Sequence, residues 1–329
     1  MFRRVSLFIV LLAVVTLIAG CLSNNNFSLF PEFDNELSTL LVMKPENKTN
    51  NRILLLDIEG VISEWGESRY FYSVEPTTAV IRKKLEKALD DRRIKAVVLR
   101  INSPGGTVTA SDVVYRELLR YKKEAKVPIV ASFQGLAASG GYYVACTADK
   151  IVALPTTITG SIGVIMHSFG FNGLFDKIGM ESRVIKAGKL KDMGNPFDEM
   201  TDDERKVMQQ IVDDAYERFL DVVKQGRPNL SEEEIREIAD GRIVSAGEAK
   251  KLGLVDQLGD LEDAIDTAKQ LANIRDAGVI LYSTSTRPEQ TIFSPTSAEL
   301  PLNIDMSLIS IDEIFDLSRP RFYYMWLGY

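Results

Sequence analysis

The stretch QGLAASGGYYVAC, Gln134 to Cys146, places Ser139 among small residues and two glycines. The apolar run VPIVASF before it reads as a buried strand, and the aromatic, apolar run after it reads as a helix. A strand–turn–helix junction lifts a side chain onto the edge of a sheet, where hydrolases hold their nucleophile. The strict G-x-S-x-G spacing is absent, because Ala137 stands two residues before the serine. Ser139 on these grounds is a nucleophile or a helix cap. As a nucleophile it needs a base, and the chain has a single histidine, His167.

Three further motifs could supply the rest of such a site. INSPGG, Ile101 to Gly106, follows the apolar run IKAVVLRI and precedes a helix, so it reads as a β–α turn. Pro104 fixes the chain there, and Gly105 and Gly106 let a ligand approach the backbone amides. Free amides so placed stabilise developing negative charge, although Gly-Gly turns also occur with no such role. TTITGSIGVIMH, Thr156 to His167, offers the hydroxyls of Thr157, Thr159 and Ser161, either as a satisfied polar turn or as a support for a base. KAGKLKDMGNPF, Lys186 to Phe197, carries Lys186, Lys189 and Lys191 on a glycine- and proline-containing loop. A lysine is normally solvated and becomes a base only when its pKa falls to about 7–8. Ser-Lys pairs are a known variant of the serine-peptidase arrangement.

The elements that must position these residues alternate. RILLLDI, IKAVVLRI, VPIVASF and KIVAL read as strands, and SIGVIM and SRVIKA as two more. Thr77–Asp91 and Val108–Glu124 show apolar residues at helical spacing, the second beside a capping threonine; a long helix is expected over about 201–223, and a shorter one after Ser231. Continuous apolar strands separated by helices predict an α/β fold with a mostly parallel, buried sheet and flanking helices. The composition fits a globular protein with a sizeable core: 45% hydrophobic and 26% charged over 329 residues. With a net charge of -7, nothing suggests nucleic acid, whose binding needs a basic face.

The N-terminus differs from the rest. Arg3 and Arg4 precede an apolar run from Val5 to Ala19, ending at Cys21. A basic start, a short apolar run and small residues form an export signal, and the run is short for a membrane helix. IAGC, Ile18 to Cys21, has the form of a lipobox, with Cys21 as the lipidated residue; an uncleaved signal anchor is the alternative. Either way the bulk of the chain is expected at the cell membrane, tethered on its extracytoplasmic side. Residues 1–20 are then the signal, 22–51 an Asn-rich polar tether, 52–283 one catalytic domain, and 284–329 a C-terminal extension ending in RPRFYYMWLGY. That aromatic tail is expected to pack on the domain, a neighbouring subunit or a membrane. Cys146, in an apolar helical run, reads as a small buried residue.

The blocks INSPGG, SGGYYVACTADKIVALPTTITGSIGVI, GKLKD and GRIVSAGEAKKLGLVDQLG, in this order, resemble the bacterial and archaeal signal peptide peptidase A family. The resemblance spans about Arg52 to Ala272 and implies a serine peptidase of Clp/crotonase-like fold. It assigns Ser139 as nucleophile, Lys191 as general base and Ser161 as the hydroxyl orienting that lysine. It assigns the oxyanion hole to Gly105, Gly106 and Gly140, and implies no metal or cofactor. It further implies ring-like homo-oligomers, with the serine and lysine of one site drawn from adjacent subunits, and remnant signal peptides as substrates. His167 departs from the family pattern and raises a competing Clp-like Ser-His-Asp reading, and Lys189 competes with Lys191 if the loop register slips. A non-peptidase crotonase relative binding acyl-thioesters, and a scaffold without activity, complete the alternatives.

Overall fold

The computed structural model describes residues 37–69, 72–284, 291–294 and 321–328. The export signal, Cys21 and the first part of the tether lie outside them. No helix among the described residues is long and apolar enough to cross a membrane.

The strands are β1 (Ser38–Met43), β2 (Arg52–Ile62), β3 (Glu67–Arg69), β4 (Tyr72–Val74), β5 (Ile94–Thr107), β6 (Ile129–Ala138), β7 (Lys150–Ala153), β8 (Ile158–Gly160), β9 (Ile165–His167), β10 (Ile243–Ser245), β11 (Gln257–Leu258), β12 (Gly278–Ser283) and β13 (Arg321–Met325). The helices are α1 (Thr77–Leu89), α2 (Val108–Ala125), α3 (Gly140–Ala145), α4 (Asn172–Ile178), α5 (Asp202–Gly226), α6 (Glu232–Ile238), α7 (Ala246–Lys251) and α8 (Leu261–Leu271).

The main sheet runs β1-β12-β2-β5-β6-β7-β11. Its interior pairings are parallel and β1 closes one edge antiparallel to β12. The crossovers β2-α1-β5 and β5-α2-β6 explain the parallel order, since parallel neighbours need a covering connection. Both faces of the sheet are covered, so the strands are apolar at successive positions: Ile53, Leu54, Leu55 and Leu56 are all buried. On one face Leu54, Leu56, Val97 and Leu99 pack with α1, α2, α3 and α5. On the other, Ile53, Leu55, Ala96 and Val98 pack under α8. This is the expected mostly parallel α/β fold with flanking helices.

Four segments differ from expectation. SIGVIM, expected as a strand, contributes only Ile165 and Met166, at the start of β9. Ser38–Met43, expected in the tether, pairs with β12 and packs Leu40, Val42 and Met43 on the second core. SRVIKA, Ser182 to Ala187, is not a strand; Val184 and Ile185 are exposed, and no sheet partner reaches them. INSPGG is not a turn. β5 continues through it to Thr107, because Val61 and Ile62 of β2 and the C-terminal strand β13 hold the two glycines in ladders. Helix α2 starts at the next residue, capped by the Thr107 hydroxyl, which accepts from the Ala110 amide at 3.1 Å.

Candidate active site

Ser139 is the single residue between β6 and α3. Its backbone is held at φ +52° and ψ −114°, a region that disfavours residues with a Cβ. Two hydrogen bonds over-determine it: its amide donates to the Gly160 carbonyl and its carbonyl accepts from the Tyr143 amide, both at 2.8 Å. Strain of this kind persists where surrounding structure enforces it and clusters at functional sites. The side chain opens onto a cavity of about 400 Å³ lined by Ser161, Val164, Ile165, Val212, Tyr216 and Met325 among others. Ser161 is likewise at positive φ, +51°, with its amide bonded to the Arg242 carbonyl at 2.7 Å. The two serines therefore share one cavity. Thr157 and Thr159 do not face it: their hydroxyls bond the carbonyls of Gln134 and Ala137, clamping β8 to β6. Asp240, also on the cavity wall, is held down to about 2 by hydrogen bonds from Arg242 and stays ionised at neutral pH.

The tail completes the site. β13 lies between β5 and β9, antiparallel to both. Tyr324 is opposite Gly106, Met325 opposite Gly105, and the Trp326 amide donates to the Pro104 carbonyl at 2.9 Å. The tail is thus an extended peptide laid in a groove between two strands, and of the surfaces open to it the domain is the one it covers. A Cβ on Gly105 would strike the Tyr324 carbonyl oxygen and stand 2.6 Å from the Gly140 nitrogen; a Cβ on Gly140 would stand 2.9 Å from the same carbonyl oxygen. One peptide carbonyl therefore rests against both glycines, one residue from Ser139. The Gly105 amide itself donates to Ser103 Oγ at 3.1 Å. That engagement leaves Gly106 and Gly140 as the expected donors not already paired with Ser103.

The side chain attached to that carbonyl fills an aromatic pocket. Tyr324 is fully buried, stacked on Tyr143 at 5.0 Å and packed on Phe219 at 4.8 Å, and its hydroxyl donates to the Ala215 carbonyl at 2.6 Å. Burial pushes its phenol above the ordinary value. Tyr143 is fixed in turn by donating to Asp112 Oδ1 at 2.6 Å, a carboxylate that Arg218 also bonds at 2.8 Å. Sequence reasoning missed this pocket. Its signal was the pair Tyr142-Tyr143 directly after SGG, together with an aromatic tail that needed a host.

The basic candidates are elsewhere. Lys191 is exposed, on the turn where its amide donates to the Gly188 carbonyl at 3.2 Å, and does not line the cavity at Ser139. Lys186 pairs with Asp192, and both line a separate cavity with Ser168 and Arg205. Lys189 pairs with Asp203, whose hydrogen bond raises its ammonium above the usual lysine range, so it is held protonated. His167, exposed at the end of β9, stands edge-on to Phe169 at 4.8 Å and does not line the Ser139 cavity. Cys146 is buried, its thiol pushed up to about 12 by desolvation, which makes it inert packing.

A strained serine at a strand–helix junction, two glycines beside it and a groove that holds an extended strand make this the candidate active site. Residues 121–275 match Peptidase family S49. A protein of Enterococcus faecium named as a signal peptide peptidase SppA is 40% identical over 241 residues, covering 73% of this chain and 70% of the relative. The chloroplastic serine protease SPPA of Arabidopsis thaliana is 36% identical over 204 residues, covering 60% of this chain and 30% of that one. Among solved structures, a ClpP1 mutant from Listeria monocytogenes is matched over 64% of this chain and 94% of its own, at 19% identity and a TM-score of 0.42. The chain belongs to peptidase family S49, the family of the signal peptide peptidase A proteins, and is a serine peptidase.

Proposed function

We propose that Ser139 is the nucleophile of this peptidase, that Lys191 of a second copy of the chain is its general base, and that its substrates are hydrophobic membrane-associated peptides such as remnant signal peptides. The observation that carries the reading is the tail: an extended peptide lies in the groove with its Tyr324 carbonyl against Gly105 and Gly140, the latter next in the chain to Ser139.

In this reading Lys191, desolvated where the two copies meet and oriented by the Ser161 hydroxyl, takes the Ser139 proton. The alkoxide attacks the substrate carbonyl, and the Gly106 and Gly140 amides hold the oxyanion, a donor of this kind contributing about 2.7–4 kcal/mol. Gly105 contributes the room for the carbonyl rather than its own amide, which Ser103 occupies. The intermediate collapses to an acyl-enzyme as the protonated lysine passes its proton to the leaving amine. Water, deprotonated by the same lysine, then releases the acid.

Supply of the base from a second copy is supported by two features. Lys191 stands outside the cavity of its own Ser139. The segment leading to it exposes Phe169, Leu174, Ile178, Met180, Val184 and Ile185, an apolar density that marks contact surfaces. The aromatic pocket that holds Tyr324, with Val164, Ile165 and Met325 on the cavity wall, supports a hydrophobic substrate, and the N-terminal export signature supports an extracytoplasmic, membrane-tethered placement.

The test is covalent labelling of the full chain with a fluorophosphonate, read by mass spectrometry alongside hydrolysis of a fluorogenic peptide. The adduct is expected on Ser139, and Ser139→Ala should lose both label and hydrolysis. Undiminished hydrolysis by Ser139→Ala would overturn the assignment.

A further inference from the structure

We infer that Ser111 supplies a third hydrogen-bond donor to the oxyanion of this site. The inference rests on the reading of Ser139 as nucleophile and extends it. Ser111 is on the first turn of α2, directly behind Gly140. It is fully buried, and its hydroxyl is one of the few buried side-chain groups without a hydrogen-bond partner among the described residues. A buried hydroxyl is almost always paired, so an orphan calls for a function or a missing partner. A helical serine would ordinarily turn its hydroxyl onto the preceding turn's carbonyl; this one makes no such bond.

Its position says what the partner is. A Cβ built on Gly140 would stand 2.5 Å from Ser111 Oγ and 2.9 Å from the Tyr324 carbonyl oxygen. The two oxygens therefore flank the same point with no hydrogen bond between them, and the absence of a side chain at Gly140 leaves open the space between them. The Gly105 amide, the other candidate donor on this side, is engaged by Ser103. Ser111 fills that role. In the ground state its hydroxyl has no strong acceptor. When Ser139 attacks, the substrate carbonyl oxygen takes the electron pair of the broken π bond, and the Ser111 O–H turns to donate to it. No proton is transferred: Ser111 stabilises the oxyanion, and the proton of Ser139 remains on the lysine. A donor used only in the transition state raises kcat without tightening substrate binding.

The experiment compares full-length wild type with Ser111→Ala and Ser111→Cys, the second keeping the side-chain shape with a weak donor. Each is measured for peptide hydrolysis, for inhibition by a peptide boronate that forms a tetrahedral serine adduct, and for thermal midpoint. Loss of an oxyanion donor costs about 100-fold in kcat where the donor is a fixed amide, and a rotatable hydroxyl is expected to give about 10-fold or more. Both variants should lose kcat by this factor with KM within about twofold, lose boronate affinity in parallel, and keep or raise the thermal midpoint. Unchanged kcat and boronate affinity in Ser111→Ala would overturn the inference and leave Ser111 a space-filling residue. A fall in kcat accompanied by a lowered midpoint, with boronate affinity unchanged, would also overturn it. A wild type that neither hydrolyses peptide nor reacts with fluorophosphonate would overturn the peptidase reading itself, an outcome distinct from either.

Discussion

Ser139 and Ser161 both hold backbone conformations that cost a residue with a Cβ, near φ +50°. Gly140 carries the complementary constraint: it has no room for a methyl group, with Ser111 Oγ, the Tyr324 carbonyl and Gly105 Cα all about its open face. Gly140→Ala is therefore expected to reduce kcat by about 100-fold, the scale of losing one oxyanion donor, as measured by peptide hydrolysis. Lys189→Ala is expected to keep most of the rate, since Asp203 holds that lysine protonated and a protonated amine accepts no proton. At this scale the strand–helix junction around Ser139 and the burial of Cys146 in an apolar run were legible in the sequence. The engagement of the Gly105 amide by Ser103 was not legible, because the Ser103 hydroxyl is oriented by donating to the Gly60 carbonyl across the sheet.

Element by element, the buried parallel strands read directly from their continuous apolar runs, and the helices from their spacing and caps. Thr201 and Glu204 form a reciprocal capping box at the start of α5. What failed was local pattern without tertiary partners. SRVIKA has the β-branched pair Val184-Ile185 but no edge to pair with among the described residues, while INSPGG has the composition of a turn yet is drawn into the sheet by pairing on both sides. The tail strand β13 lies between β5 and β9, and under the proposed function that groove is where a substrate enters. Removing residues 321–329 is expected to raise the rate on a short peptide severalfold. It should also lower stability by about 2 kcal/mol, the order of burying one large apolar side chain, because Tyr143 and Phe219 lose their cover. Peptide hydrolysis and denaturant titration read the two effects separately. The buttress beneath the pocket carries a pH signature. Desolvation raises the Asp112 carboxyl, but hydrogen bonds from Tyr143, Arg218 and Arg116 outweigh it and leave it below the usual carboxylate range. A depressed folded pKa gives stability that is present above the unfolded value and lost as pH falls through the folded one. Asp112→Asn is expected to flatten the acid limb of a stability–pH curve below about pH 4, measured by thermal midpoint against pH.

At the scale of the whole molecule, one sheet with helices on both faces presents Ser139, Ser161 and the glycine-lined groove on a rigid frame. The lysine-bearing loop and its exposed apolar segment stand apart from that cavity. The sequence could not show this separation, since the spacing of Ser139 and Lys191 along the chain says nothing of whether one copy brings them together. If the base comes from a neighbouring copy, Ser139→Ala and Lys191→Ala are each inactive alone, and mixing them under conditions of subunit exchange restores part of the activity. The most direct measurement of the central claim is peptide hydrolysis on a leucine-rich fluorogenic substrate by full-length wild type, Lys191→Ala and His167→Ala. The expected result is that Lys191→Ala is inactive while His167→Ala keeps most of its rate; an inactive His167→Ala beside an active Lys191→Ala would contradict the Ser-Lys mechanism and assign the base to the histidine.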